Sequence, residues 1–411
     1  MVDSLKHQVW TVRIAAMSII FELAEHVELH TQIQDAIPSI FSLLKDEDSD
    51  VQSVAITGFG NLAQRAEFQD AILLLIPKIP ELLTNSSWGV RRSAALILAK
   101  LSETVGFYHA LQLTVLPLMQ RLKDSDPNVR DAIMSALESL VERVELRDTV
   151  QHNFPLLLEM LKDQDAVVRA TGISALAKLA KHEEFRAETQ AALSSVLQLL
   201  NDLDPRVRLS TVAAFPQFYE QAELRAEMGD LVRQIEKLLK DEDESVLSAV
   251  PIMVSELAKH PDCYPSIQAL IPSVIDMLNT ENPYIIATVI STLGKLADNV
   301  IFREPIQTAI PAFVQLLQHE DYNVRLTSIS ISIKVLDTAE HLHAIKTTVS
   351  SLIESVDQQR WQLRVDVATL LSQLTMRGEY QLVLNLLLIF QSGTNQYCWE
   401  LYFIAGKNVG G

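Results

Sequence analysis

Gly58-Phe59-Gly60 followed by Ala63 has the glycine spacing of a dinucleotide-binding loop. That chemistry needs a strand before the glycines and a helix N-terminus after them, so that backbone N–H groups face a pyrophosphate. Val51, Val54, Ala55, Gly58 and Leu62 instead recur at helical spacing, which makes the glycines mid-helix packing positions. His26, His182 and His260 could bind a metal or carry protons. They belong to separate helix pairs along the chain, too far from one another to share an ion. Each falls at the end of an expected helix, where a cation complements the dipole. His341 and His343 are close but have no third ligand nearby, and Cys263 and Cys398 make neither a disulfide framework nor a zinc spacing. Acidic turns such as Asp46-Glu47-Asp48 lack the glycine-containing spacing of a calcium loop and read as solvated helix caps. No nucleophile–base–acid constellation, phosphate loop or carboxylate pair emerges. The chain is expected to be no enzyme, with no cofactor, metal or small-molecule substrate.

The charge balance points elsewhere. Over 411 residues, 34 Lys+Arg face 52 Asp+Glu, a formal net charge of −18. Nucleic acid is an unexpected partner, because phosphates are bound by Lys and Arg. Proteins with basic patches are favoured. Hydrophobic residues make up 48%, with only 12 Gly and 15 Pro, which argues against disorder and against turn-rich sandwich or Rossmann folds. MVDSLKHQVW at the N-terminus lacks the apolar stretch of a secretory signal, and the apolar run at 382–390 is too short to span a bilayer. These readings place the chain in the cytoplasm, with the nucleus as the alternative, and away from membranes.

The elements that carry these residues repeat. Val-Arg pairs stand at Val12-Arg13, Val90-Arg91, Val129-Arg130, Val168-Arg169, Val207-Arg208 and Val324-Arg325, every spacing a multiple of 39. Val51-Gln52, Val246-Leu247, Ile285-Ile286 and Leu363-Arg364 fill the gaps, giving ten repeats in one register. Each repeat reads as two helices. Three places before the Val position stand Asp48, Ser87, Asp126, Asp165, Asp204, Asp243, Asn282 and Asp321, all N-cap types for the second helix. Pro127, Pro205 and Pro283 follow three of these caps, at the first helical position where Pro is tolerated.

This pattern resembles the HEAT-repeat family, which places a Pro in the first helix, an Asp in the turn and an Arg early in the second helix. Pro38, Pro77, Pro155, Pro272 and Pro311 stand 14 before the Arg position, and Asp46, Asp124, Asp163, Asp202 and Asp241 stand six before it. The resemblance covers residues 1–390 and leaves 391–411 as an out-of-phase tail, either a private cap or an altered chain end. It implies an all-α superhelical solenoid of about ten antiparallel helix pairs, with the Asp and Arg residues bonded between neighbours as a ladder. At roughly 10 Å per helix layer the array would reach about 100 Å. A fold of this kind is not itself an activity.

Some repeats depart from the pattern. Repeat one begins with its second helix. Repeat seven has Leu247 and repeat eight Ile286 at the Arg position, and repeat eight has Thr280 at the Asp position. Pro216 and Pro251 fall inside second helices, where Pro removes a hydrogen bond and kinks the helix. Neighbour coupling is expected to be weakest between about residues 205 and 295.

Two surfaces are candidates for a partner. Second helices should line an inner groove, acidic in repeat four at Asp131, Glu138 and Glu142. The turns form the other surface. Trp10, Trp88 and Trp361 share one repeat position, two before the Val or Leu anchor, and Tyr322 occupies the same column. A large aromatic just past an N-cap has no local reason to be there, and Trp and Tyr are enriched at interaction hot spots. The strings Trp88-Gly89-Val90-Arg91-Arg92 and Trp361-Gln362-Leu363-Arg364 resemble turns of the scaffold subunits of type 2A protein phosphatases, also built of 39-residue HEAT repeats. There the turn ridge holds the catalytic and regulatory subunits. By resemblance the ridge residues here are Trp10, Trp88, Arg92, Tyr322 and Trp361. A protein-binding scaffold of phosphatase-subunit type is therefore the first reading. The alternative is an adaptor or transport-receptor-like array holding a basic peptide in the acidic groove. An enzyme, or an enzyme's regulatory domain, is the remaining class.

Overall fold

Second helices begin at Trp10, Ser49, Trp88, Pro127, Ala166, Pro205, Glu244, Pro283 and Tyr322, each exactly one repeat length after the one before. The sequence register is therefore the register of the helices. The computed structural model describes residues 2–221, 228–316 and 319–335. Trp361, His341, His343, Cys398 and the 391–411 tail lie outside the described residues, as does the side chain of Tyr322.

The chain divides into two compact bodies, Met1–Ala222 and Glu223–Gly411. In the first, the second helices are α1 (Trp10–Leu23), α3 (Ser49–Ala63), α6 (Trp88–Leu101), α8 (Pro127–Val141), α11 (Ala166–Leu179) and α13 (Pro205–Gln221). The first helices are α2 (His30–Ser42), α4 (Ala66–Leu73) with α5 (Ile79–Leu83), α7 (Tyr108–Gln120), α9 (Val144–His152) with α10 (Pro155–Met160), and α12 (Arg186–Leu199). Second helices stack on second helices in chain order, and α2 on α4, α5 on α7 and α7 on α9 form the other layer. The second body has α14 (Met228–Leu238), α16 (Tyr264–Asp276) and α18 (Val300–Gln307) with α19 (Ile310–Leu316) as first helices, and α15 (Glu244–Leu257), α17 (Pro283–Leu296) and α20 (Tyr322–Lys334) as second helices. This is an all-α HEAT-repeat solenoid.

Local chemistry explains the breaks. The first helix of repeat three divides around Pro77, and that of repeat five at Pro155, where the missing N–H interrupts the ladder. Pro38 and Pro117 are accommodated inside α2 and α7. Pro216 and Pro251 likewise sit inside α13 and α15, each of which continues as one helix. Repeat one is not bare. A 3₁₀ helix at Val2–Lys6, with Leu5 buried, stands one repeat length before the 3₁₀ helix Leu43–Lys45 that follows α2.

Seven of the eight expected caps accept backbone N–H groups: Asp48, Asp126, Asp165, Asp204, Asp243, Asn282 and Asp321. Ser87 has the extended cap backbone, but its short hydroxyl makes no cap bond. The core lies between the two layers. The Val position is closed to solvent in most repeats, at 0% exposure for Val51, Val129, Val207 and Val246. A second buried column, at one repeat position shortly after the second helix ends, holds Phe68, Phe107, Leu146, Phe185, Cys263 and Phe302. Each such apolar side chain contributes about 1.5–3 kcal/mol by leaving water, so one layer is pinned to the other in these six repeats. Cys263 fills a slot that four of the other repeats give to Phe.

Candidate partner interface

Among the described residues, every turn before a second helix is built the same way. The side chain six before the Arg position accepts the N–H two places on: Asp46 from Asp48 at 3.0 Å, Asn85 from Ser87 at 2.9 Å, Asp124 from Asp126 at 3.0 Å and Asp202 from Asp204 at 2.9 Å. His7, Thr280 and His319 take the same role where Asp is absent. Arg then closes the turn from the other side. Arg91 Nη1 donates to the carbonyls of Asn85 at 2.8 Å and Ser86 at 3.0 Å, and Arg13, Arg130, Arg169, Arg208 and Arg325 repeat the arrangement.

In three joints of the first body the same Arg also reaches the next repeat. Arg13 meets Asp46 at 2.6 Å. Arg91 forks Asp124 at 2.7 and 2.9 Å, and Arg169 forks Asp202 at 2.8 and 2.7 Å. Bidentate pairs of this kind fix geometry as well as adding energy. Burial pushes the Asp124 carboxyl up, but the hydrogen bonds from Arg91 and from the Asp126 N–H bring it below its ordinary value. The hydrogen bond to Asp124 in turn raises Arg91, against the opposing effect of its burial.

This frame holds the ridge aromatics. Trp10 is the first residue of α1 and is 43% exposed; Trp88 is the first residue of α6 and is 49% exposed. Arg92 is exposed one helical turn after Trp88, on the same side of α6. Tyr322 begins α20 in the same column. The ridge carries more apolar surface than the Trp pattern alone reveals. Val9 is 48% exposed and Leu203, between Asp202 and Asp204, is 98% exposed; in the second body Tyr284 is 67% exposed.

The acidic groove residues are placed differently. Asp131 and Glu142 are exposed, but Glu138 is half-buried and ion-paired with Lys178 of the next repeat. Glu142 lies 4.0 Å from His182 Nε2. Burial and the nearby Arg147 push the His182 imidazole below its ordinary value, against the opposing pull of Glu142 and Glu184.

The other chemistry-bearing residues are structural. A Cβ on Gly58 would stand 1.9 Å from the Phe21 ring, and one on Gly60 would stand 3.2 Å from the Lys100 stem. The glycine pair therefore admits neighbouring side chains. His26 is exposed and His260 half-buried, each in a different joint, and among the described residues no His, Cys, Asp and Glu group is arranged to hold a metal. Among them too, no helix is long and apolar enough to cross a membrane.

A further apolar column lies at the turn after the second helix in four of the repeats. There, at one repeat position, Val27, Val105, Val144 and Val300 are 74%, 73%, 62% and 70% exposed. Its only sign in the sequence is a β-branched residue recurring at that position in four repeats.

The helix pairs, their turn frame and their exposed ridge define the class as a HEAT-repeat α-solenoid. The chain belongs to the adaptin N-terminal region family, whose sequence model matches residues 109–375. Among solved structures it is similar to Kap121p bound to Pho4p, with a TM-score of 0.71 at 16% identity over 96% of this chain and 44% of that one. Kap121p bound to RanGTP gives 0.69 at 16% identity over 96% and 44%, and importin beta gives 0.67 at 14% identity over 100% and 55%. The chain thus spans about half the length of these solenoids. No curated protein matches it significantly.

Proposed function

We propose that this chain is a non-enzymatic scaffold that binds other proteins through its turn ridge, with Trp10, Trp88 and Arg92 as contact residues. Tyr322 and Trp361 are their counterparts further along the register. The observation that carries this reading is that two Trp at one repeat position stand about half exposed on helix starts. A Trp side chain buries up to about 250 Å², so covering the open half yields about 3 kcal/mol at ~25 cal/mol/Å². The finer form of the reading is a scaffold or regulatory subunit of a phosphatase-type complex, acting in the cytoplasm or nucleus, with partners that present basic patches to the acidic turns.

A second reading rests on Asp131 and Glu142, exposed on the second-helix face, and on the shared fold with Kap121p, solved with Pho4p and with RanGTP. In it the array is a transport-receptor-like adaptor holding a basic peptide along that face. Affinity capture with the full chain separates the two, with the captured proteins identified for wild type, Trp88→Ala and the double variant Asp131→Lys, Glu142→Lys. The scaffold reading expects Trp88→Ala to lose captured proteins that the double variant keeps. The opposite pattern would replace it with the adaptor reading.

A further inference from the structure

The joint between repeats four and five is bonded unlike its neighbours. On either side, Arg91–Asp124 and Arg169–Asp202 are forked, and their carboxylate side chains are only 3% and 9% exposed. Arg130 has the same place in repeat four, and Asp163 has the same place in repeat five. Arg130 nevertheless donates only to its own turn, to the Asp124 carbonyl at 2.7 Å and the Ser125 carbonyl at 3.1 Å. Asp163 is taken instead by Lys123 at 3.2 Å, a pair whose side chains are 34% and 28% exposed.

The remaining polar pairs across this joint lie away from the turns. Lys178 meets Glu138, and His182 Nε2 lies 4.0 Å from Glu142. Val168, at the anchor position of α11, is 8% exposed where Val129 and Val207 are at 0%. The joint is closed by charge at its far side, and its turns lack the Arg fork of the neighbouring joints.

We propose that this is a two-position joint, in which Asp163 exchanges Lys123 for the fork of Arg130 and the two turns draw together. The turn itself need not be rebuilt. Asp163 Oδ1 holds the Asp165 N–H at 3.0 Å, while Lys123 uses Oδ2. In the neighbouring joint Asp124 Oδ1 keeps the corresponding N–H while the Arg91 fork takes both oxygens. The two states trade a compact ammonium on a flexible stem for a planar bidentate guanidinium, and an exposed pair for a more buried one. An exposed pair is the more strongly screened by salt, so added salt favours the closed position. Such a joint sets the spacing of the ridge turns at 125 and 164.

The test is a distance measurement between nitroxide labels on exposed residues of the two turns, at Ser125→Cys and Gln164→Cys. It uses the full chain with Cys398→Ser, leaving Cys263, which is fully buried. The corresponding pair across the neighbouring joint, Ser86→Cys and Ser125→Cys, is the control. Two separations are expected for 125–164 and one for 86–125. Lys123→Ala should shift the population to the shorter separation, Arg130→Gln or Asp163→Asn to the longer, and high salt to the shorter. Arg130→Gln also loosens its own turn, so Lys123→Ala, at a partly exposed side chain, is the deciding variant. A single 125–164 separation, unchanged by Lys123→Ala and by salt, would overturn the proposal.

Discussion

The turn ridge and the second-helix face of the first body look equally polar in sequence, yet they differ in what their side chains are already doing. On the second-helix face Glu138 is joined to Lys178, and similar pairs join Lys100 to Glu103 and Gln64 to Glu103. Much of that charge is used within the array. On the ridge the acids and arginines are used too, but in building the turns, and what they hold up is apolar: Trp10, Trp88 and Leu203 stand out from a bonded frame. A surface whose polar groups are satisfied internally, and whose large apolar groups are not covered, is the one that gains most from a partner.

The frame can be broken to test whether it matters. Asp124→Ala removes the partner of the Arg91 fork and the acceptor for the Asp126 N–H at once. A loss of about 3 kcal/mol in unfolding free energy is expected, since removing one member leaves a largely buried guanidinium uncompensated. Urea titration reads it, and a change below about 1 kcal/mol would mean that the joints do not depend on the forks.

Asp126→Ala removes only an N-cap, and a loss of about 0.5–2 kcal/mol is expected. Ser87→Ala is the internal control. Its hydroxyl makes no cap bond, so the same titration should barely move. Equal losses from the two variants would contradict the cap assignment.

On the opposite surface, Glu138→Gln breaks the pair with Lys178, which is partly exposed, so a change of at most about 1 kcal/mol is expected. A loss comparable to that of Asp124→Ala would show the second-helix face to be as strongly framed as the ridge, and the contrast would fall.

The smallest effect is an acid one. The hydrogen bond from Arg206 lowers Asp204 from 3.8 to about 2, against the opposing effect of desolvation. A carboxyl depressed on folding adds stability that is fully present above its unfolded value and is lost as pH falls through the folded value. Between about 3.8 and about 2, wild type should therefore lose stability faster than Asp204→Asn. Parallel acid melting curves for the two would show that this ridge pair has no energetic role.

How much of this could be read from residue types alone differs by feature. The 39-residue register and the caps were legible because each depends on one residue type at one spacing. The turn acceptor was half legible. Asp46 and Asp124 announce it, whereas His7, Asn85, Thr280 and His319 do the same job with different atoms, so a search for Asp misses them. The buried column is announced by Phe at one repeat position, at Phe68, Phe107, Phe185 and Phe302, whereas Leu146 and Cys263 join it only by their burial. Pairing of Glu138 with Lys178 depends on side-chain reach across a joint, which spacing does not determine. For the same reason Arg130 and Asp163 looked like one more rung of the ladder, although Lys123 holds the carboxylate. The division between bodies falls at Ala222 and Glu223, inside the 205–295 stretch where the repeat pattern is most eroded.

The central claim is that the ridge Trp side chains serve a partner and not the fold. Trp88→Ala and Trp10→Ala, each purified as the full chain, should be compared with wild type by thermal melting and by titration against a partner recovered with wild type. Unfolding free energies within about 0.5 kcal/mol of wild type are expected for an exposed site. For each variant that touches the partner, binding weaker by about 2 kcal/mol or more is expected, roughly thirtyfold in Kd. Variants that melt well below wild type, or that melt normally and bind every partner at full strength, would contradict the account.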